Sequence, residues 1–253
     1  MKTDHDNIYH QIYSHPEILA DLVRQFITEP WVEQLDFDRM QPVKTKYQIM
    51  QMPKRESDMV WKIPLRPGEL IYLLLLLEFQ SKVYRWMILR TTIYSCLLWL
   101  QLLQEKRISA RKRLPPIFPV VLYNGDKPWL MPVRLHDLIG LPSQSPLWPF
   151  QPDGRFFLID EGRYPQEELK QRDSLSALIF RIEQCTDPEE FSSLLTEVIA
   201  WFARYPDLTE LKSAITALFH NALTTMAGET PVPVHASFAN LLEEPTMLRT
   251  RIQ

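Results

Sequence analysis

The hydrophobic pattern of the chain centres on eight consecutive apolar residues, Leu70 to Leu77, which run directly into Glu78, Phe79, Gln80, Ser81 and Lys82. A run this short does not span a bilayer, and its unbroken apolarity predicts a central strand over 70–82, covered on both faces. Alternation along a strand puts Glu78, Gln80 and Lys82 on one face and Phe79 on the other. Residues 40–50 and 58–65 alternate apolar and polar side chains and predict two further strands, joined near Pro53. The turn residues Arg66, Pro67, Gly68 and Glu69 make the second of these the hairpin neighbour of the central strand. Asp58 and Glu78 then fall at matching distances from the turn, so two acids meet at one end of a sheet.

Helical spacing marks the rest of the chain. The pattern predicts a helix over 4–27, broken at Pro16, and a long one over 83–106 with Ser81 as its cap. Trp86 and Trp99 are expected in the core of that second helix. A buried strand over 116–123 ends at the turn Asn124, Gly125, Asp126. A proline-rich irregular stretch follows at 141–152, with an edge strand at 156–159. Three helices are expected at 174–184, 188–205 and 208–226. The order helix, strands, helix, strand makes an α/β core over 1–165, a helical region over 166–226, and a linker with the start of a shortened tail over 227–253.

Composition narrows the function classes. Apolar residues make up 45% and charged residues 23%, as in ordinary globular proteins. The 6 glycines against 21 prolines disfavour a glycine-rich phosphate cradle, and no P-loop or dinucleotide fingerprint is present. Cys96 and Cys185 form no metal-ligand spacing with nearby histidines, and His5, His10 and His15 recur every five residues, which does not select one helical face. The polar start lacks the apolar core of a secretory signal, and the apolar segment 83–103 is interrupted by Arg85 and Arg90. These features predict a reduced, cytoplasmic chain without membrane insertion.

The net charge of −3 conceals an asymmetry: residues 1–40 carry 3 basic and 8 acidic side chains, residues 41–113 carry 14 and 5, and residues 114–253 carry 11 and 18. The basic third holds the Glu78 strand and the connection Lys106, Arg107, Arg111, Lys112, Arg113. Local positive potential of this kind suits a polyanion such as DNA, and it equally describes an uneven solvated surface.

Asp58 on one strand, with Glu78 and Gln80 on the next, is an arrangement with a mechanism. Two carboxylates can share a hard divalent cation, and a third polar group can orient water beside it, which is what phosphodiester hydrolysis requires. The same carboxylates could instead form structural ion pairs with Arg55, Lys62 or Arg85.

The segments HDNIYHQIYSHPEILADLVRQF, SDMVWKI, LLLLLEFQS, RWMILRTTIYSCLL and PPIFPVVLYNGDKPW, taken in order, closely resemble the Rpn family of recombination-promoting nucleases, also described as YhgA-type transposase-like proteins, within the PD-(D/E)XK nuclease superfamily. The resemblance runs from about residue 5 to 223. It implies a restriction-endonuclease-like mixed sheet flanked by helices, with Asp58 and Glu78 binding Mg²⁺ and Gln80 standing where the superfamily usually has lysine. Ca²⁺ and Mn²⁺, which also take oxygen ligands, are further candidates. Gln80 carries no charge to donate, so Lys82, one strand period on, is the candidate for the missing cation. Asp6 in the HD pair is a third candidate ligand, and Asn124 a candidate DNA contact.

Family-like chains continue past a PTMLRTRI-like segment into a charged helix, whereas this sequence stops at Gln253. The expected function is a metal-dependent DNA endonuclease active in recombination or transposition, and a homodimer would suit cutting both strands at a symmetric site. The alternatives are a DNA-binding accessory protein of the same fold that cuts weakly, because position 80 lacks lysine, and a scaffold built by the C-terminal helices.

Overall fold

A computed structural model describes residues 3–44, 59–65, 72–108, 113–205 and 208–227. The helices are α1 (Thr3–Tyr13), α2 (Pro16–Phe26), α3 (Met87–Gln104), α4 (Gln166–Lys170), α5 (Leu175–Gln184), α6 (Pro188–Arg204) and α7 (Thr209–Ala227). The strands are β1 (Gln41–Val43), β2 (Met59–Pro64), β3 (Tyr72–Gln80), β4 (Ile117–Tyr123) and β5 (Phe157–Asp160). The expected mixed α/β class is what the chain adopts.

The described residues fall into two compact units, one drawn from Phe26–Glu161 and the other from Met1–Gln25 with Gly162–Gln253. The first is built on a five-stranded sheet in the order β1-β2-β3-β4-β5. β1, β2 and β3 are successively antiparallel, and β4 and β5 continue parallel to β3. The parallel crossover from β3 to β4 is made by α3, the usual way to join parallel neighbours. Pro119 is tolerated inside β4 because the pairing with β5 begins only at Val120, so β4 has one neighbour where the proline sits.

α3 covers one face of the sheet and runs back along it. Its start, Met87 and Ile88, packs with Val121 and Tyr123 of β4, together with Trp129, Leu135 and Phe156. Its later turns, Tyr94, Leu98 and Leu102, pack with Val60 of β2 and with Ile117 at the start of β4. Fully burying each of these large side chains contributes about 1.5–3 kcal/mol.

In the second unit α1 packs against α7 and α5 against α6. α5 is buried from Leu175 to Ile182, and its capping residue Ser174 accepts from the Ala177 amide at 3.1 Å. Asp21 of α2 accepts from the Ser174 hydroxyl and the Ser176 amide, both at 2.8 Å, so one carboxylate ties α2 to the start of α5. Arg181 of α5 holds Glu197 of α6 with a two-pronged contact at 2.6 and 2.9 Å. The sequence places residues 1–165 together, whereas here the helices before residue 26 group with those after residue 161. Their apolar stripes pack on other helices, and a stripe alone does not say which surface it will meet.

Element ends differ from expectation in physically readable ways. The helix break predicted at Pro16 is present, between Tyr13 and Pro16. α3 starts at Met87 rather than near residue 83, because Val83, Tyr84, Arg85 and Trp86 form an exposed connection and Ser81 does not cap it. Trp86, expected in the core, is 46% exposed. Trp99 is half-buried and donates its indole N–H to the Pro115 carbonyl at 2.9 Å. Residues 45–50 and Pro53 lie outside the described residues, as does the linker expected at 227–233 from residue 228 onward.

Candidate metal and DNA site

The β2–β3 pairing sets Met59 opposite Leu77, Val60 opposite Leu76 and Trp61 opposite Leu75. Met59 is the residue after Asp58, and Leu77 is the residue before Glu78. Asp58 itself lies outside the described residues. On the other side of β3, Glu78 pairs with Val121 and Gln80 with Tyr123 of the parallel strand β4. Cross-strand partners share a sheet face. Val121 and Tyr123 are buried against Met87 and Ile88, so positions 78 and 80 belong to the face that α3 covers. Phe79, on the opposite face, is 2% exposed. Glu78 and Gln80 therefore stand at the C-terminal end of the central strand, and Glu78 is the first residue beyond the last described hairpin pair.

β3 ends at Gln80, and Ser81 and Lys82 form a bend. Lys82 is exposed and off the strand, so strand alternation does not carry it to the face of Glu78. Asp6 belongs to α1, in the helical unit, whereas Glu78 belongs to the sheet unit.

Among the basic residues expected at DNA, Lys106 is exposed and takes a left-handed backbone (φ 56°) just beyond α3. Arg107 is exposed but paired with Glu105 at 2.9 Å. Arg113 is exposed, and Arg111 and Lys112 lie outside the described residues.

The turn after β4 is fixed from below. The Tyr123 hydroxyl donates to the Lys127 carbonyl at 2.5 Å, and the Trp129 amide donates to Asp160 Oδ2 at 3.0 Å. The Tyr123 and Trp129 rings meet edge to face at 5.1 Å. Burial, with the Asp160 and Asp126 carboxylates, pushes the Tyr123 phenol above its ordinary value, so it stays a protonated donor. Tyr123 thus holds the turn, and Asn124, the first turn residue, is half-exposed beside the strand end. No glycine substitute fits at 125, where a Cβ would overlap the Tyr123 ring.

Two residues escaped the sequence reading. Asp160 is 4% exposed and organises the 124–129 turn through Trp129. Its partner lies 31 positions away, which local pattern cannot reveal. Arg90 is 8% exposed within α3, its Nε donating to the Tyr94 hydroxyl at 3.1 Å and its guanidinium 5.2 Å from the Tyr94 ring centre. The available signal was its isolation, since Met87–Gln104 contains no other charged residue. Among the described residues no three His, Cys, Asp or Glu side chains gather into a metal site, and no helix is long and apolar enough to cross a membrane.

No curated protein and no solved structure matches the chain. One family model does, over residues 3–212, and its description is "Putative transposase, YhgA-like". That match takes in both units, including the β2–β3 hairpin, α3 and the helices through the start of α7, and by it the chain belongs to the YhgA-like transposase family.

Proposed function

We propose that the chain is a metal-dependent DNA endonuclease of the PD-(D/E)XK type that hydrolyses phosphodiester bonds in recombination or transposition. The observation that carries this reading is the hairpin register: Met59, which follows Asp58 in the sequence, stands opposite Leu77, which precedes Glu78 near the end of the central strand of a mixed sheet. The order of an antiparallel three-strand run, a crossover helix and a parallel strand supports the nuclease-like core, and the family description supports DNA as the substrate.

The donor set fits a hard cation. Asp58 and Glu78 offer carboxylate oxygens and Gln80 an amide oxygen, the ligand class that Mg²⁺ and Mn²⁺ take. Asp58 and Glu78 would hold the ion, which when bound polarises the phosphate and makes a water nucleophilic near neutral pH. Gln80 orients that water or a phosphate oxygen by hydrogen bonding, and as a neutral amide it neither accepts the water's proton nor supplies charge. Asp6 of the HD pair is a further candidate ligand. Lys82, Lys106, Arg107, Arg111, Lys112, Arg113 and Asn124 serve the DNA backbone, which sets affinity and register without reading sequence. A homodimer would place two such sites on the two strands of a symmetric target.

The test is incubation of supercoiled plasmid with the purified protein in Mg²⁺, Mn²⁺, Ca²⁺ or EDTA, beside a gel-shift measurement. Nicked or linear product that needs Mg²⁺ or Mn²⁺ supports the reading. A shifted but intact plasmid under every metal condition would favour a DNA-binding accessory protein.

A further inference from the structure

We propose that the outward side of α3 is the surface through which two copies of this chain pair, with the two helices antiparallel. The side of α3 that meets the sheet is already engaged, since Met87, Tyr94 and Leu98 are buried in the clusters described above. The other side carries Trp86 at the N-cap, then Leu89, Ile93, Cys96, Leu100 and Leu103. These six residues follow one another at spacings of three, four, three, four and three, the alternation that makes the seam of a helix pair. Trp86, Leu89, Leu100 and Leu103 are each 40–52% exposed, Cys96 is exposed, and Ile93 is half-buried. The one charged residue of α3, Arg90, is buried and stands outside the seam.

Area sets what such a seam can bind. α3 has 18 residues, so the seam is about 27 Å long at 1.5 Å per residue. Its exposed side chains present roughly 500 Å² of apolar surface, at the upper end of what a monomer leaves bare. Two copies joined along it would bury roughly 1,000 Å² in all, the lower limit of a specific interface and the size of a weak, reversible dimer. With no charge in the seam, an acidic or basic partner has nothing there to recognise.

The seam complements itself when reversed. Antiparallel pairing sets Trp86 beside Leu103 of the second copy, Leu89 beside Leu100, and Ile93 beside Cys96, all in one register. The bulkiest layers then lie at the ends and the smallest at the centre. Helices that are each fixed on a sheet cross rather than wind round one another, so they approach closest at the centre, where the small layer fits. Parallel pairing would instead stack Trp86 on Trp86 and set Arg85, whose guanidinium lies 5.5 Å over the Trp86 ring, against another Arg85. Reversal brings Arg85 level with Glu105 of the second copy. Lys106 and Arg107 follow Glu105, so the ends of the seam are net basic and apolar burial drives the pairing. The proposal gives a surface to the dimer of the proposed function and rests on no part of the cleavage reading, so either can fail alone.

Sedimentation of the full chain in reducing buffer, over a range of concentrations, tests the surface. The wild type should pass from monomer to dimer in the micromolar range, and high salt should not weaken the dimer. Leu89→Glu and Leu100→Glu, both at exposed positions, should melt like the wild type at dilutions where all are monomeric. Each should weaken the dimer by roughly tenfold or more, because the new carboxylate would be buried in the seam. A wild type that stays monomeric up to about 100 µM overturns the proposal, whether Cys96 reacts freely with a maleimide or is shielded by the chain's own residues. A dimer that both variants leave intact overturns it as well.

Cross-linking tests the orientation. Leu89→Cys and Leu100→Cys are each made with Cys96→Ser, and the remaining cysteine, Cys185, is buried. The two proteins are treated with a short bismaleimide, separately and mixed, at a concentration where sedimentation shows dimer. Antiparallel pairing gives a cross-linked dimer from the mixture and little from either protein alone. Cross-linking of each protein with itself marks a parallel pair and overturns the proposed geometry. Dimer without any cross-link places the interface elsewhere and overturns the proposal.

Discussion

Met59 and Leu77 face each other across the antiparallel pair β2–β3. In the sequence Asp58 precedes the first and Glu78 follows the second. The pairing leaves little freedom, because a slip of one residue would turn every side chain of β2 to the opposite face. Val60 would then leave its cluster with Tyr94, Leu98 and Leu102.

Phe79 tests how firmly this strand end is held. It is 2% exposed, on the face away from positions 78 and 80. Phe79→Ala should destabilise the protein by about 3–5 kcal/mol in urea titrations. Whatever activity the variant retains at low temperature should keep the wild-type metal requirement, since the substitution changes no polar group of the site.

The turn after β4 gives a second prediction. Gly125→Ala sets a Cβ into the ring of Tyr123, which is 1% exposed and cannot swing away. A loss of about 1–3 kcal/mol is expected on equilibrium unfolding. Tyr123→Phe removes only the bond to the Lys127 carbonyl and should cost about 1 kcal/mol.

Asp21 predicts a pH dependence in the helical unit. Burial, the largest influence, raises its carboxyl above the ordinary range despite the opposing bonds from Ser176 and Ser174. The native state thus holds the proton more tightly than the unfolded state does. The stability linked to Asp21 is fully present below the unfolded value of about 3.9 and is lost as pH rises through the raised native value. Asp21→Asn keeps an acceptor for Ser174 and Ser176, so the loss of stability that Asp21 causes as pH rises should be absent from the variant and appear as a growing difference between it and the wild type. Thermal melts at a series of acidic pH values would read this directly.

The basic connection makes a graded prediction for DNA binding. Arg113 is exposed, while Arg107 is engaged by Glu105. Arg113→Ala should lower the slope of log affinity against log salt by about 0.9, the contribution of one phosphate contact. Arg107→Ala should lower it by less. Lys82→Ala should likewise act on affinity and salt dependence rather than on the cleavage rate, because Lys82 stands in the exposed bend after β3.

Much of this arrangement is legible in the amino-acid sequence, and particular residues show where legibility stops. The apolar run ending at Glu78 and the turn chemistry at Pro67 and Gly68 specify a hairpin by local rules, and the described pairing of β2 with β3 agrees. Strand β4 with its following turn is equally local, as are the helix starts capped by Ser174 and Asp187. The start of α3 was not legible, since Val83, Tyr84 and Trp86 are apolar yet exposed and no side chain caps the helix. Nor could the sequence assign α1 and α2 to the C-terminal helices, because amphipathicity records burial and not the partner. Arg90 reads in the sequence as an interruption of an apolar segment, and its bond to the Tyr94 hydroxyl one turn on is what the structure adds.

The most direct test of the account compares Mg²⁺-dependent cleavage of supercoiled plasmid by the wild type, Asp58→Asn and Glu78→Gln, with Mn²⁺ binding to each followed by calorimetry. Two carboxylates sharing one cation predict that each substitution alone removes cleavage by roughly a hundredfold or more and weakens Mn²⁺ binding, with the melting profile still cooperative. Wild-type cleavage and Mn²⁺ affinity in either folded variant would contradict it.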